Sequence, residues 1–98
     1  MQRRVVFVRR ARRQLTQQLA FVAERNPAAA RRLRDRLEAA KRQIAEFPRN
    51  APIASTPGTR RLIVAPYILT YRERGQRIEI LDVRHERQAG RPIPEDIG

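Results

Sequence analysis

Ninety-eight residues carry 22 Lys and Arg against 10 Asp and Glu, a formal charge of +12, with one histidine and no cysteine. That length holds one small domain rather than two independent cores, and the absent thiols exclude a disulfide framework and a thiolate metal site, as the single histidine excludes a histidine-rich one. The charge is front-loaded, since residues 1–49 hold 14 basic and 4 acidic residues while residues 50–98 hold 8 and 6; such a field favours nucleic acid, a ribosome or an acidic protein partner, with a merely solvated arginine surface as the alternative.

Residues 5–8 are short and β-rich and predict a first strand. This apolar run is too short for a signal-peptide core or a membrane span, so a cytoplasmic, reduced setting is expected. A basic helix follows over residues 9–24, with Ala11, Leu15, Leu19 and Val22 recurring on one face. Arg9, Arg10, Arg12 and Arg13 crowd its first turn, where the helix dipole prefers anions. They read as solvated charge or as contact groups, not as helix stabilisers.

Asn26-Pro27 supplies an N-cap and a first-turn proline, so a second helix starts there. Its stripe runs Leu33, Leu37, Ala40, Ile44 and Phe47, and Phe47-Pro48 ends it. Asp35 and Glu38 are placed to pair with nearby basic residues. The short connection forces the two helices into an antiparallel hairpin.

A Pro-rich loop over residues 48–59 leads to three short strands near residues 62–65, 67–71 and 78–83. Pro66 separates the first two, and Gly75 can take a positive φ to close a hairpin between the last two. Ile80-Leu81 breaks the alternation of the last strand, and apolar residues on both faces place it inside the sheet. The expected fold is α+β, in the order β-α-α-β-β-β: a helical hairpin on one face of a small, mostly antiparallel sheet. The other face is expected to be open and lined by Arg and Tyr from the last three strands. One domain spans residues 1–87, and residues 88–98, with two prolines and two glycines, form an irregular tail.

The chemistry on offer is concentrated in the strands. His85 can serve as general acid or base near neutral pH, and Arg60, Arg61, Arg72, Arg84 and Arg87 can hold phosphate. Tyr67 and Tyr71 can stack on a base or donate a hydrogen bond. These groups suit metal-free RNA cleavage by attack of a 2′-hydroxyl on the adjacent phosphate, although a lone histidine at a strand end is more often structural or solvated. No carboxylate pair at metal spacing, phosphate-cradling glycine loop or nucleophile motif is present, and no metal or cofactor is implied.

The order of these pieces resembles the RelE/ParE superfamily of type II toxin–antitoxin toxins over residues 3–88. The residues carrying it are Asn26-Pro27-Ala28-Ala29-Ala30, Ala45-Glu46-Phe47-Pro48-Arg49, Pro57-Gly58-Thr59-Arg60 with Leu62, Pro66 to Arg72, Ile78-Glu79-Ile80-Leu81, and His85 with Arg87. In the superfamily, relatives like RelE and YoeB are ribosome-dependent endoribonucleases, whereas relatives like ParE poison DNA gyrase. The nuclease branch commonly places an arginine three residues before the tyrosine of the middle strand; here that residue is Ile68. The Gly58-x-Arg60 turn, the Pro66-Tyr67 pair and the His85-x-Arg87 ending look like the ParE branch.

The resemblance therefore implies a gyrase-directed toxin, with Arg60, Arg72, His85 and Arg87 as target contacts rather than catalysts. The alternatives are a ribosome-dependent nuclease using His85 with Arg60, Arg61 and Arg87, and a basic adaptor or RNA-binding domain. It also implies an acidic, ParD-like antitoxin with a ribbon-helix-helix head, through which alone the complex would read DNA. The antitoxin's C-terminal segment would fold on this chain, taking apolar surface from Leu15, Leu19, Val22 and Leu37 of the hairpin.

Overall fold

The computed structural model describes residues 3–89. Strand β1 (Arg4–Phe7) runs into helix α1 (Arg9–Arg25), and α2 (Pro27–Glu46) returns alongside it. After the loop come β2 (Arg60–Val64), β3 (Tyr67–Arg74), β4 (Arg77–His85) and a short helix α3 (Glu86–Ala89). The order is the expected one, and α3 is an addition to it. Residues 90–98 of the predicted tail lie outside the described residues; Gln88 and Ala89 fall within α3.

Local signals explain the element ends. Asn26 has extended backbone and its side-chain oxygen accepts from the Ala29 amide at 3.0 Å, with Pro27 at the first helical position. Gly75 takes φ +61°, while among the described residues no other residue type has positive φ, which fits a two-residue hairpin turn with glycine first. At its start α1 has neither a side-chain cap at Val8 nor an acid in its first turn, so packing rather than capping holds that end.

The sheet order is β1-β4-β3-β2. β1 pairs with β4 in parallel, and the two remaining pairs are antiparallel. The long connection that parallel pairing of β1 with β4 requires runs through the helical hairpin and then β2 and β3, and β4 lies inside the sheet between β1 and β3. The broken alternation at Ile80-Leu81 has a second cause: Thr70 pairs with Asp82 but Tyr71 pairs with Ile80, so Leu81 is the extra residue of a β-bulge.

Ala11, Leu33, Leu37 and Ile44 from the helices meet Leu62, Val64, Leu69, Ile78, Ile80 and Val83 from the strands. Two expectations are corrected at this core. Tyr67 and Tyr71 alternate with Leu69 on the helix-facing side of β3 and are buried, so they do not line the open face. Each buries its ring and keeps a polar partner at the rim: the Tyr71 hydroxyl donates to the Pro48 carbonyl at 2.6 Å, and the Tyr67 hydroxyl meets Gln18 Oε1 at 3.2 Å. Phe47 leaves the α2 stripe because the helix ends at Glu46; as the C-cap residue it is 50% exposed. None of the described helices is long and apolar enough to cross a membrane.

Candidate functional site

Strand alternation sorts the side chains into two sets. Leu62, Val64, Tyr67, Leu69 and Tyr71 take the helix side, which leaves Arg61 and Ile63 of β2 and Ile68, Thr70 and Arg72 of β3 on the open side. Across the hairpins these align as rows, Arg61 beside Thr70 beside Asp82, and Ile63 beside Ile68 beside Arg84. Except for Ile63, these residues and the 53–56 loop border a groove of about 730 Å³ lined by Ile53, Arg61, Ile68, Thr70, Asp82 and Arg84.

Ion pairs organise this face. Arg84 Nη2 lies 3.3 Å from Asp82 Oδ2. Further along, Glu79 takes Arg72 Nε at 2.9 Å and Arg77 Nη2 at 3.2 Å. The hydrogen bond from Arg72 is the main reason the Glu79 carboxyl is held below its ordinary range; burial opposes it, and the charges of Arg72, Arg74 and Arg77 add to it.

The residues singled out by sequence do not form one constellation. Arg60 lies on the helix side, where Nη1 donates to the Ala51 carbonyl at 2.8 Å, while Arg61 points to the opposite face. Arg60 and Arg72 do border a common smaller cavity of about 250 Å³, beside Tyr71 and Glu73. His85 sits at the other end of the sheet, paired with Tyr67, whereas Arg60 pairs with Tyr71. Four residues of strand separate those levels by about 13 Å. The His85 ring packs edge-on against Tyr67 at 5.5 Å, and its Nδ1 accepts from the Arg87 amide at 3.1 Å. With Nδ1 serving as acceptor, a neutral ring carries its proton on Nε2. Arg87 itself is exposed on α3.

The apolar residues assigned to a partner are also redistributed. Leu37 is 3% exposed and belongs to the core, so it offers no surface, because α2 turns that face onto the sheet. Leu15 and Leu19 pack against the same core and are half-buried, as is Val22. Free apolar area is greatest instead at Ile53 and Ile63, 69% and 62% exposed, with Phe21 of α1 and Phe47 at the end of α2 about half exposed. Sequence reasoning passed over Ile63, Thr70 and Asp82; the period-two alternation of β2 and β3, carried across the Gly75 turn, is the signal that assigns them to one face.

Comparison with known proteins agrees with this architecture. Residues 5–90 match the family model of the ParE toxin of type II toxin–antitoxin systems. Toxin RelE2 of Caulobacter vibrioides is 30% identical over 81 residues, covering 83% of this chain and 92% of that protein. Putative toxin Y4kP of Sinorhizobium fredii is 34% identical over 88 residues, covering 88% and 91%. Among solved structures, a chain of the chromosomal ParDE system of P. aeruginosa superposes with a TM-score of 0.70 at 21% identity, covering 86% of this chain and 96% of that one. A chain of the RelBE2 toxin–antitoxin complex of Mycobacterium tuberculosis gives 0.63 at 22%, covering 87% and 99%. The chain belongs to the ParE toxin family of type II toxin–antitoxin systems, within the RelE/ParE superfamily.

Proposed function

We propose that this toxin acts on DNA gyrase, trapping the enzyme's cleaved DNA complex, and that an acidic ribbon-helix-helix antitoxin neutralises it. The observation that carries the choice of target is Ile68. It lines the open-face groove with Arg61 and Arg84, at the place where the nuclease branch of the superfamily holds an arginine. An isoleucine there offers a phosphate neither charge nor a hydrogen bond. The separation of His85 from Arg60, and of Arg60 from Arg61 across the sheet, supports the same choice, because acid–base chemistry needs its groups within hydrogen-bond reach of one phosphodiester.

On this reading Arg60 and Arg72 contact the target at one end of the sheet, and His85 with Arg87 at the other. Both solved relatives come from toxin–antitoxin systems, which supports an antitoxin partner. Its apolar anchors would meet Ile53 and Ile63, with the half-buried edges of Leu15, Leu19 and Val22 secondary. The test is a supercoiling assay with purified gyrase and relaxed plasmid, run beside a cell-free translation reaction. Gyrase inhibition with cleaved-DNA adducts, at toxin levels that leave translation running, is the expected result. Arrested translation with mRNA cut in codon register, and gyrase unaffected, returns the nuclease reading.

A further inference from the structure

We propose that the basic end of the helical hairpin, where α1 begins, is a docking surface for the phosphate backbone of duplex DNA. The gyrase reading makes duplex DNA the polyanion to test; the surface itself rests on geometry and charge.

Carboxylates are unevenly placed among the arginines: the hairpin carries Glu24, Asp35, Glu38 and Glu46, but none lies in the first turn of α1. Glu73, Glu79 and Asp82 on the sheet engage five arginines between them. The ion pairs within the hairpin, among the described residues, are Arg25 with Glu24 and Lys41 with Glu38. Arg9, Arg10, Arg12 and Arg13 are all exposed, none has an ion pair among the described residues, and the first turn of α1 contains no acid. The returning helix adds to the cluster: Lys41 Nζ lies 5.7 Å from the ring of Phe7, two residues before α1, and Arg42 beside it is exposed.

This arrangement opposes the stability of the free protein. Arg9 and Arg13 are like charges at i,i+4, Arg9 and Arg12 at i,i+3, and all four meet the positive end of the helix dipole. A bound polyanion relieves both repulsions.

The chemistry of the patch selects among polyanions. Ala11, the apolar residue of this turn, is fully buried, so the first turn of α1 exposes charge and hydrogen-bond donors, and the exposed apolar residue at this end of the hairpin, Phe47, lies beyond Arg42 at the C-cap of α2. An acidic amphipathic segment needs apolar anchors, which lie on the open sheet face at Ile53 and Ile63. Single strands are held by stacking on exposed aromatic rings. The exposed aromatic residue of α1, Phe21, is about three turns away and is covered by the Arg25 guanidinium at 3.7 Å. A duplex backbone presents phosphates alone and fits what remains. Such a contact is independent of sequence and distinct from operator reading by an antitoxin.

The test uses full-length toxin and a fluorescent duplex of about 20 base pairs with no operator sequence, titrated between about 50 and 200 mM salt. Arg9→Gln with Arg13→Gln is expected to weaken binding by more than about tenfold and to lower the salt slope by about 2, at about 0.9 for each lost phosphate contact. Arg31→Gln with Arg32→Gln removes the same charge from the far end of the hairpin and is expected to leave the slope unchanged; circular dichroism confirms that both variants fold. Equal losses in the two variants, absence of duplex binding, or tighter binding of an equal length of RNA or of an acidic peptide overturns the proposal. Gyrase inhibition measured on the same preparations separates the two ideas: if it persists in a toxin that binds no duplex, this surface is refuted and the gyrase reading stands. If duplex binding follows Arg9 and Arg13 while gyrase is untouched, the surface is supported and the gyrase reading falls.

Discussion

At Tyr71 a single hydroxyl ties the central hairpin to the loop after α2. The side chain is 1% exposed. Burial is the main cause raising its pKa, with the Arg60 charge opposing and Glu73 reinforcing, so the phenol stays neutral and donates to the Pro48 carbonyl. Tyr71→Phe leaves that carbonyl without its donor and is expected to cost about 1–3 kcal/mol, seen as a lower Tm or urea midpoint; an unchanged melt would mean that the loop is held by other contacts. Glu79 gives a second residue-level prediction. Its folded pKa lies below the ordinary value of 4.5 because Arg72 bonds the charged form. The stabilisation is therefore complete above the ordinary value and is lost as pH falls through the lowered one. In thermal melts between neutral and acid pH, Glu79→Gln should be less stable than wild type near neutrality, and the difference should shrink towards acid. A constant difference would show that the pair does not supply the stability.

Each helix and strand was legible to the degree that its residues signal locally. Asn26-Pro27 fixes the α2 start by its own backbone chemistry, and Asn26→Ala is expected to cost about 1 kcal/mol, with Asn26→Asp retaining most of the cap in the same melts. The strand runs and the Gly75 turn were equally readable, because β-branched content and positive φ are local properties. What was not readable depends on partners distant in sequence. The side taken by Tyr67 and Tyr71 follows from their register with Leu62–Val64 and from the helices above them. The bulge at Leu81 appears in sequence as a broken alternation, which a doubly buried strand explains equally well. In the sequence the arginines and His85 of the last three strands stand close together, whereas pleating and strand length send Arg60 and Arg61 to opposite faces and His85 to the far end.

For the whole molecule the distribution of charge matters more than its total. The +12 is partly neutralised by ion pairs on the sheet and left open at the start of α1. Association with an acidic antitoxin should therefore be fast and strongly salt-dependent, with salt slowing the on-rate more than it changes the off-rate; stopped-flow mixing at two ionic strengths measures this. The measurement that tests the central claim most directly is induction of the toxin in cells without antitoxin, followed by isolation of covalent gyrase–DNA adducts and pulse-labelling of new protein at early times. The account predicts adducts and DNA breaks while labelling continues. Prompt loss of labelling, with mRNA ends in codon register and no adducts, would contradict it.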